Sequence, residues 1–395
     1  MTTAEAVLEE NRSTIDRVII VVLIACNIIS TSGVFENYIG GIDRAALVTI
    51  ALISTFYIIY SIASIDNTAS MFSIGFIILF TLQISTFYFH TQIPINPLPL
   101  SIFAPIFTFS VFFRVRLDAE EILRIAYYIG LTYALLYVLI SLLPGLLLPQ
   151  SSSLSGLLIG YEGRADRFIA SSSYLAFVLI YSLLHKGAKF RVFAITLSLV
   201  AIYLTYSRVF QACLLATIVL HYAGVGIRTT SILFRTIFLG FTAVMLWGVI
   251  DSGWMPFEPF MQDASGYIRH LGYMQVTTFL SHSPIFGAGL PSSLDAMNAL
   301  LGSAVDVYGA DYGALGIWLN WGLAGVVLYI LGVYFLTSTG GASGKVYMRA
   351  ASEDQKTLRL LGLHFALYCS TAPVIFGGSG TVLFCLILAY RLRNR

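Results

Sequence analysis

The chain has 395 residues, 57% hydrophobic and only 11% charged, with a net charge of +2 and a mean hydropathy of +0.84. Soluble domains carry about 25% charged residues, so a water-soluble fold cannot hide this much apolar surface. The composition specifies an all-α polytopic membrane protein and argues against a nucleic-acid partner.

The N-terminus, Met1–Asp16, is polar and mixed in charge. No small-residue cleavage site follows the first apolar run, so that run is expected to stay as a helix. A crossing helix needs roughly 20 apolar residues. Twelve runs are candidates, the last of them short: 17–35, 45–65, 70–90, 96–113, 122–143, 168–185, 190–206, 208–227, 232–250, 311–337, 357–376 and 378–391. Prolines 97, 99 and 105 punctuate the fourth, and Gly377–Gly380 separates the last two. An eleven-helix count, with one run merged or dropped, fits the same chain. The four cysteines (Cys26, Cys213, Cys369, Cys385) lie inside apolar runs with no C-x-x-C spacing, so neither a metal site nor a disulfide is expected. There is no repeat, no low-complexity tract and no soluble domain. Residues 1–395 read as one integral membrane unit with two long polar interruptions, 144–167 and 251–310.

Charge sets the orientation. With the N-terminus in the cytoplasm, alternate loops place 17 of the 22 basic residues inside, the C-terminus included. The five left outside are Arg44, Arg164, Arg167, Arg208 and Arg269, with no lysine among them. Arginine makes planar, two-bond contacts to phosphate. An outer set of arginines therefore points to a phosphate-bearing lipid substrate.

Five motifs carry the chemistry. Arg164-Ala-Asp-Arg167 precedes the sixth run, where a helix N-terminus favours an anion; the alternative is interface anchors paired with Glu162 and Asp166. Thr205-Tyr-Ser-Arg208 sits in a turn with almost no loop, so Arg208 lies at or near membrane depth, where charge is costly unless paired or functional; the alternative is an arginine snorkelling to headgroups. Arg269 falls in an expected helix over 265–281 and shares a face with Gly272, Tyr273, Val276 and Leu280, the pattern of an amphipathic helix along the outer surface. His270 projects about 100° away. Pro284-Ile-Phe-Gly-Ala-Gly289, just after His282, suits a tight turn, a re-entrant loop or close backbone approach to a ligand. Asp311 opens the tenth run, which continues Gly322-Leu-Ala-Gly325. It reads either as a helix N-cap or as a general base, with His270 and His282 as the alternative titratable groups.

In order and spacing these motifs resemble the O-antigen polymerase and O-antigen ligase superfamily (Wzy and WaaL types) over roughly residues 160–335. The matched features are Arg164 through Leu175-Ala176, the pair Ser207-Arg208, the Arg269-led helix, the Pro-x-x-Gly-x-Gly turn, and Asp311 before Gly322 and Gly325. Where the family often has Pro-Asn this chain has Ser172-Ser173. Where ligases resemble one another in a His near the end of the large loop, it has Asp311-Tyr312, which favours a polymerase. The peptidoglycan polymerases of the shape, elongation, division and sporulation group are more distantly similar, but their longer signatures are missing.

The resemblance implies a bacterial inner-membrane glycosyltransferase of GT-C-like architecture. It would polymerise undecaprenyl-diphosphate-linked oligosaccharide at the periplasmic face, within a pathway that supplies a flippase and a chain-length regulator. Arg164, Arg167, Arg208 and Arg269 would bind the diphosphate, and Asp311, Arg269 and Arg208 would act in catalysis. No cofactor is expected, because no nucleotide or metal motif is present. A ligase acting on lipid A core, or a lipid-linked oligosaccharide flippase, are the alternatives. A flippase needs polar groups or broken helices at the midplane.

Overall fold

The computed structural model describes residues 3–32, 34–35, 41–63, 67–93, 101–143, 169–251, 253–261, 264–291, 293–303, 307, 309–338 and 352–393. Among these residues every regular element is helical. The helices are α1 (Thr3–Thr31), α2 (Ile42–Ala63), α3 (Asn67–Thr91), α4 (Thr108–Arg114), α5 (Ala119–Leu142), α6 (Ser172–Leu184), α7 (Arg191–Leu204), α8 (Arg208–Tyr222) and α9 (Ile227–Ile250). They continue with α10 (Ala264–His282), α11 (Leu294–Leu301), α12 (Ala314–Thr337), α13 (Glu353–Tyr368) and α14 (Gly380–Arg393).

Each of the twelve expected runs holds a helix, but they fall into two classes. Six segments are long and apolar enough to cross a membrane: Ser13–Thr31, α2, most of α3, α5, α9 and α12. The chain is therefore a multi-pass membrane protein. The other runs are short, five of them shorter than expected and α14, with 14 residues, as short as its run, and burial explains part of this. Residues 173–182 of α6, 357–367 of α13 apart from Arg359, and 380–389 of α14 are buried. A helix that is apolar all round belongs inside the bundle. There its ends are covered by protein, so it need not match the width of the lipid, because irregular backbone is tolerated where protein surrounds it. The outward faces of α1–α3, α7–α9 and α12 expose large apolar side chains such as Leu52, Phe56, Ile78, Leu199, Leu215, Leu239 and Leu331, as a lipid-facing rim requires.

Three local departures have identifiable causes. The fourth run enters through a 3-10 turn, Ser101–Phe107, because Pro105 lies inside it and has no N–H for an α-helical bond. The eleventh run stops at Tyr368 rather than 376. Pro373 disfavours helical geometry at the residue before it, and the Cys369 carbonyl is taken by the Tyr329 hydroxyl at 2.5 Å. The tenth run is broken within α12 at Gly322 (φ 64°, ψ −170°).

Basic side chains gather at one end of the bundle and cap helix C-termini there. Arg391 donates to Phe335 O (2.5 Å), Arg393 to Val115 O (2.9 Å) and Arg191 to Ser182 O (2.9 Å). Arg235, in α9, donates to Thr337 Oγ1 at the end of α12 (2.6 Å). Cations satisfy orphan carbonyls and oppose the negative end of the helix dipole. The opposite ends of α9 and α12 carry the polar interruption 251–310.

Candidate active site

The site is assembled by α10 against the entry to α12. As expected, α10 buries Gly272, Tyr273, Val276 and Leu280 on one face. The Tyr273 hydroxyl donates to Met245 O in α9 at 3.0 Å. Burial pushes this phenol up to about 12, so it stays a neutral donor. Phe257 lies edge-on to both Tyr273 and Tyr312, with ring centroids 5.7 and 6.3 Å apart. Tyr312 docks on Gly272: a Cβ there would sit 2.0 Å from its hydroxyl. Arg269 lies one turn before Gly272 on the same face, and Asp311 immediately precedes Tyr312. Seating the phenol on the glycine therefore delivers the carboxylate to the guanidinium. Arg269 Nη2 and Asp311 Oδ1 are 3.9 Å apart, with side chains 41% and 42% exposed.

Asp311 is not the N-cap of α12. It belongs to a 3-10 turn, Gly309–Tyr312, and Gly313 occupies the cap. The N-cap reading is replaced by a half-exposed carboxylate facing an arginine.

Pro284–Gly289 re-enters the bundle and packs on backbone. A helix intact at Gly322 would bond Leu323 N–H to Leu319 O. Instead Leu323 N–H donates to Ile285 O (2.9 Å), and Leu319 O accepts from Ala288 N–H (2.8 Å). Leu290 N–H donates to Gln83 O in α3 (3.1 Å), and Trp318 Nε1 donates to Pro284 O (2.6 Å). The break thus exchanges one helical bond for two loop bonds. Gly289 (φ 83°) is required here, since a Cβ would lie 2.3 Å from Gln83 O. Its glycines serve close approach to protein backbone, at Trp318 and Leu319 for Gly287 and at Gln83 and Phe87 for Gly289.

The remaining site residues are dispersed. Arg208 is exposed at the first position of α8, at the tip of the α7–α8 hairpin, and makes no ion pair among the described residues. The three-residue turn beneath it is held by Thr205 Oγ1, which donates to Ile202 O (2.8 Å), and by Gln211 Nε2, which also donates to Ile202 O (2.9 Å). His270 is 5% exposed and its Nδ1 has no hydrogen-bond partner among the described residues. His282 is exposed at the end of α10, with Nδ1 2.8 Å from Thr278 O. Arg164 and Arg167 lie outside the described residues.

The chain that follows them is anchored by a buried polar network that sequence reasoning missed. Ser171 N–H donates to the Tyr133 hydroxyl (2.7 Å), which donates to Ser32 Oγ (3.2 Å). Ser171 and Thr31 hydroxyls pair at 2.7 Å, and Tyr174 donates to Asn27 Oδ1 at 3.0 Å. The available signal was Ser171-Ser-Ser placed where an apolar run begins.

Among the described residues no group of His, Cys, Asp or Glu is arranged to hold a metal, and the four cysteines are free. Chemically, the arrangement offers a cation for an anionic leaving group and a carboxylate able to take a proton, side by side. No family model, curated protein or solved structure matches the chain.

Proposed function

We propose that this protein is an inner-membrane glycosyltransferase that polymerises undecaprenyl-diphosphate-linked oligosaccharide repeat units at the periplasmic face. The observation that carries the reading is the pairing of Arg269 with Asp311, half-exposed, at the end of the bundle opposite the helix-capping arginines. By the positive-inside rule the capping end is cytoplasmic, and the site then faces the periplasm. On this reading all twelve apolar runs are crossings or part-crossings of a GT-C-like bundle.

The acceptor hydroxyl of one lipid-linked unit attacks the anomeric carbon of another. The new C–O bond forms as the bond to the diphosphate breaks, and the diphosphate leaves with the electron pair, with inversion. In the free protein Arg269 and Asp311 neutralise one another. When the donor diphosphate engages Arg269, the carboxylate is released to orient the acceptor hydroxyl and take its proton. Positioning and charge stabilisation of an already good leaving group are the main demands on the protein.

Arg208 supplies a second cation. The 14 residues of α7 extend about 21 Å, against roughly 30 Å of hydrocarbon. With Lys189 and Arg191 held at the cytoplasmic boundary, the hairpin tip lies below the outer one. An arginine there is costly without an anionic partner, and a lipid diphosphate provides it. The sequence resemblance assigns Arg164 and Arg167 to the same diphosphate. The flippase that delivers the units and the regulator that sets chain length are the expected partners.

The test is reconstitution with lipid-linked repeat units and no nucleotide. A ladder of products supports the polymerase, whereas transfer only onto lipid A core assigns the protein as a ligase. One observation favours a second reading, the flippase: α12 is broken at Gly322, as transporter helices often are. Against it, the backbone groups at the break are consumed by the 284–290 loop rather than offered to a substrate. Movement of labelled lipid-linked units across liposomes without any product ladder would select that reading.

A further inference from the structure

A second site lies at the basic end. There α8, the turn into α9, and α13 surround a cavity of about 220 Å³. Its wall includes Lys356, His221, Thr217 and Thr230, with Leu360 as apolar floor, and no lining side chain is acidic. The acids nearest to Lys356 in sequence are engaged elsewhere: Glu353 and Asp354 each approach a ring nitrogen of His185 at 3.5 Å. Lys356 makes no ion pair among the described residues. The N-terminus of α9 opens on the same space. Its N-cap is Gly226, without a capping side chain, and the first helical bond runs from Thr230 N–H to Gly226 O at 3.0 Å. The N–H groups of the preceding turn are not used by the helix.

One lysine, a helix N-terminus and no acid make a cavity that favours an anion, with the His221 ring as a further polar group in its wall. Its volume is below the roughly 300–1,000 Å³ of sites for drug-sized ligands, which suits a single small anionic group. We propose that this cavity binds a single phosphate group, carried either by an anionic phospholipid headgroup or as free phosphate. It is remote from the Arg269–Asp311 pair, since the 24 residues of α9 span about 36 Å, and it does not depend on the catalytic reading.

The experiment measures thermal unfolding of the full chain in neutral detergent against inorganic phosphate, and lipid retention by native mass spectrometry after reconstitution with phosphatidylcholine alone or with added phosphatidylglycerol. A ligand bound only by the folded state raises the melting temperature, with a stabilisation that grows as the logarithm of one plus the ratio of free ligand to Kd. Two variants accompany the wild type. Lys356→Gln removes a charge-assisted contact and should weaken binding about tenfold or more. Gly226→Asp places a carboxylate on the free N–H groups, in space where a Cβ meets only Thr229 Oγ1 at 3.9 Å. It should raise the melting temperature, as a good N-cap does, while abolishing the ligand-dependent shift. That gain shows that the variant is folded. A phosphate-dependent shift lost in both variants supports the site with free phosphate as ligand. Selective retention of phosphatidylglycerol, lost in both, supports it with the lipid as ligand. Responses equal in wild type and variants, or absent for both probes, overturn it.

Discussion

Replacing Asp311 with Asn separates chemistry from architecture. The Arg269–Asp311 contact is 3.9 Å long and each side chain is about two-fifths exposed, so as an ion pair it contributes roughly 0–1 kcal/mol to stability. Gly313, not Asp311, holds the N-cap of α12, so no capping free energy is lost. The Asn variant should unfold within about 1 kcal/mol of wild type. Its catalytic loss should be far larger, about 10²–10⁴-fold for a missing general base, or roughly 3–5 kcal/mol of barrier. The assay pairs initial rates of ladder formation from lipid-linked repeat units with thermal unfolding of the same preparation. Binding of the lipid diphosphate should persist, because Arg269 and Arg208 remain. Asp311→Ala should resemble Asp311→Asn in both measurements, which a cap would not allow. Combining Asp311→Asn with Arg269→Gln should cost less than the sum of the two single losses, as expected of residues acting in one transition state. Wild-type rates in the Asn variant, or a fall in rate that tracks a fall in stability of several kcal/mol, would refute the reasoning.

Three further outcomes follow from the structure. Arg208→Lys keeps the charge but loses the planar two-bond contact, so product formation should drop sharply while folding is unchanged; near-normal polymer would reduce Arg208 to a membrane anchor. Gly289→Ala introduces a Cβ 2.3 Å from Gln83 O at φ 83°, and should destabilise by at least about 2 kcal/mol; an unshifted unfolding midpoint would show that the 284–290 loop is not docked on α3. Single cysteines at the exposed positions Ser281 and Asp295, in a variant without the four native ones, should react with impermeant thiol reagents from the periplasm. Cysteines at the exposed positions Lys186 and Arg228 should react only after the inner membrane is opened, and the reverse pattern would invert the orientation.

The legible part of this fold was what depends on local periodicity. Helix α10 was expected over 265–281 and spans Ala264–His282, because its face of Gly272, Tyr273, Val276 and Leu280 repeats at helical spacing. The glycine at position 322 was not legible as a break. A single Gly in an apolar run is tolerated in a helix interior, and what decides the matter is a distant partner, the Ile285 carbonyl, that takes the Leu323 N–H. The lengths of α6 and α13 were illegible for a related reason. A hydropathy run reports that a segment avoids water, and lipid and protein interior look alike in that respect. Within the site, residue types suggested Arg269 and Asp311 separately. Their meeting depends on Tyr312 fitting against Gly272, a contact 40 residues apart in sequence that no spacing rule anticipates.

This division also indicates where the molecule can tolerate motion. Around the candidate site the backbone is pinned by α3, α9 and α12 through the bonds of Gln83, Met245 and Leu319. The two charged side chains themselves are only loosely engaged with one another. A tight ion pair would have to be broken before a diphosphate could bind, and that cost would be subtracted from substrate affinity. A pair held at 3.9 Å in partial contact with water gives up little when the anion arrives. Rigid glycine-mediated packing behind a weakly paired cation and carboxylate is therefore what a site needs if it is to hold its geometry between turnovers and still exchange its counter-ion for substrate.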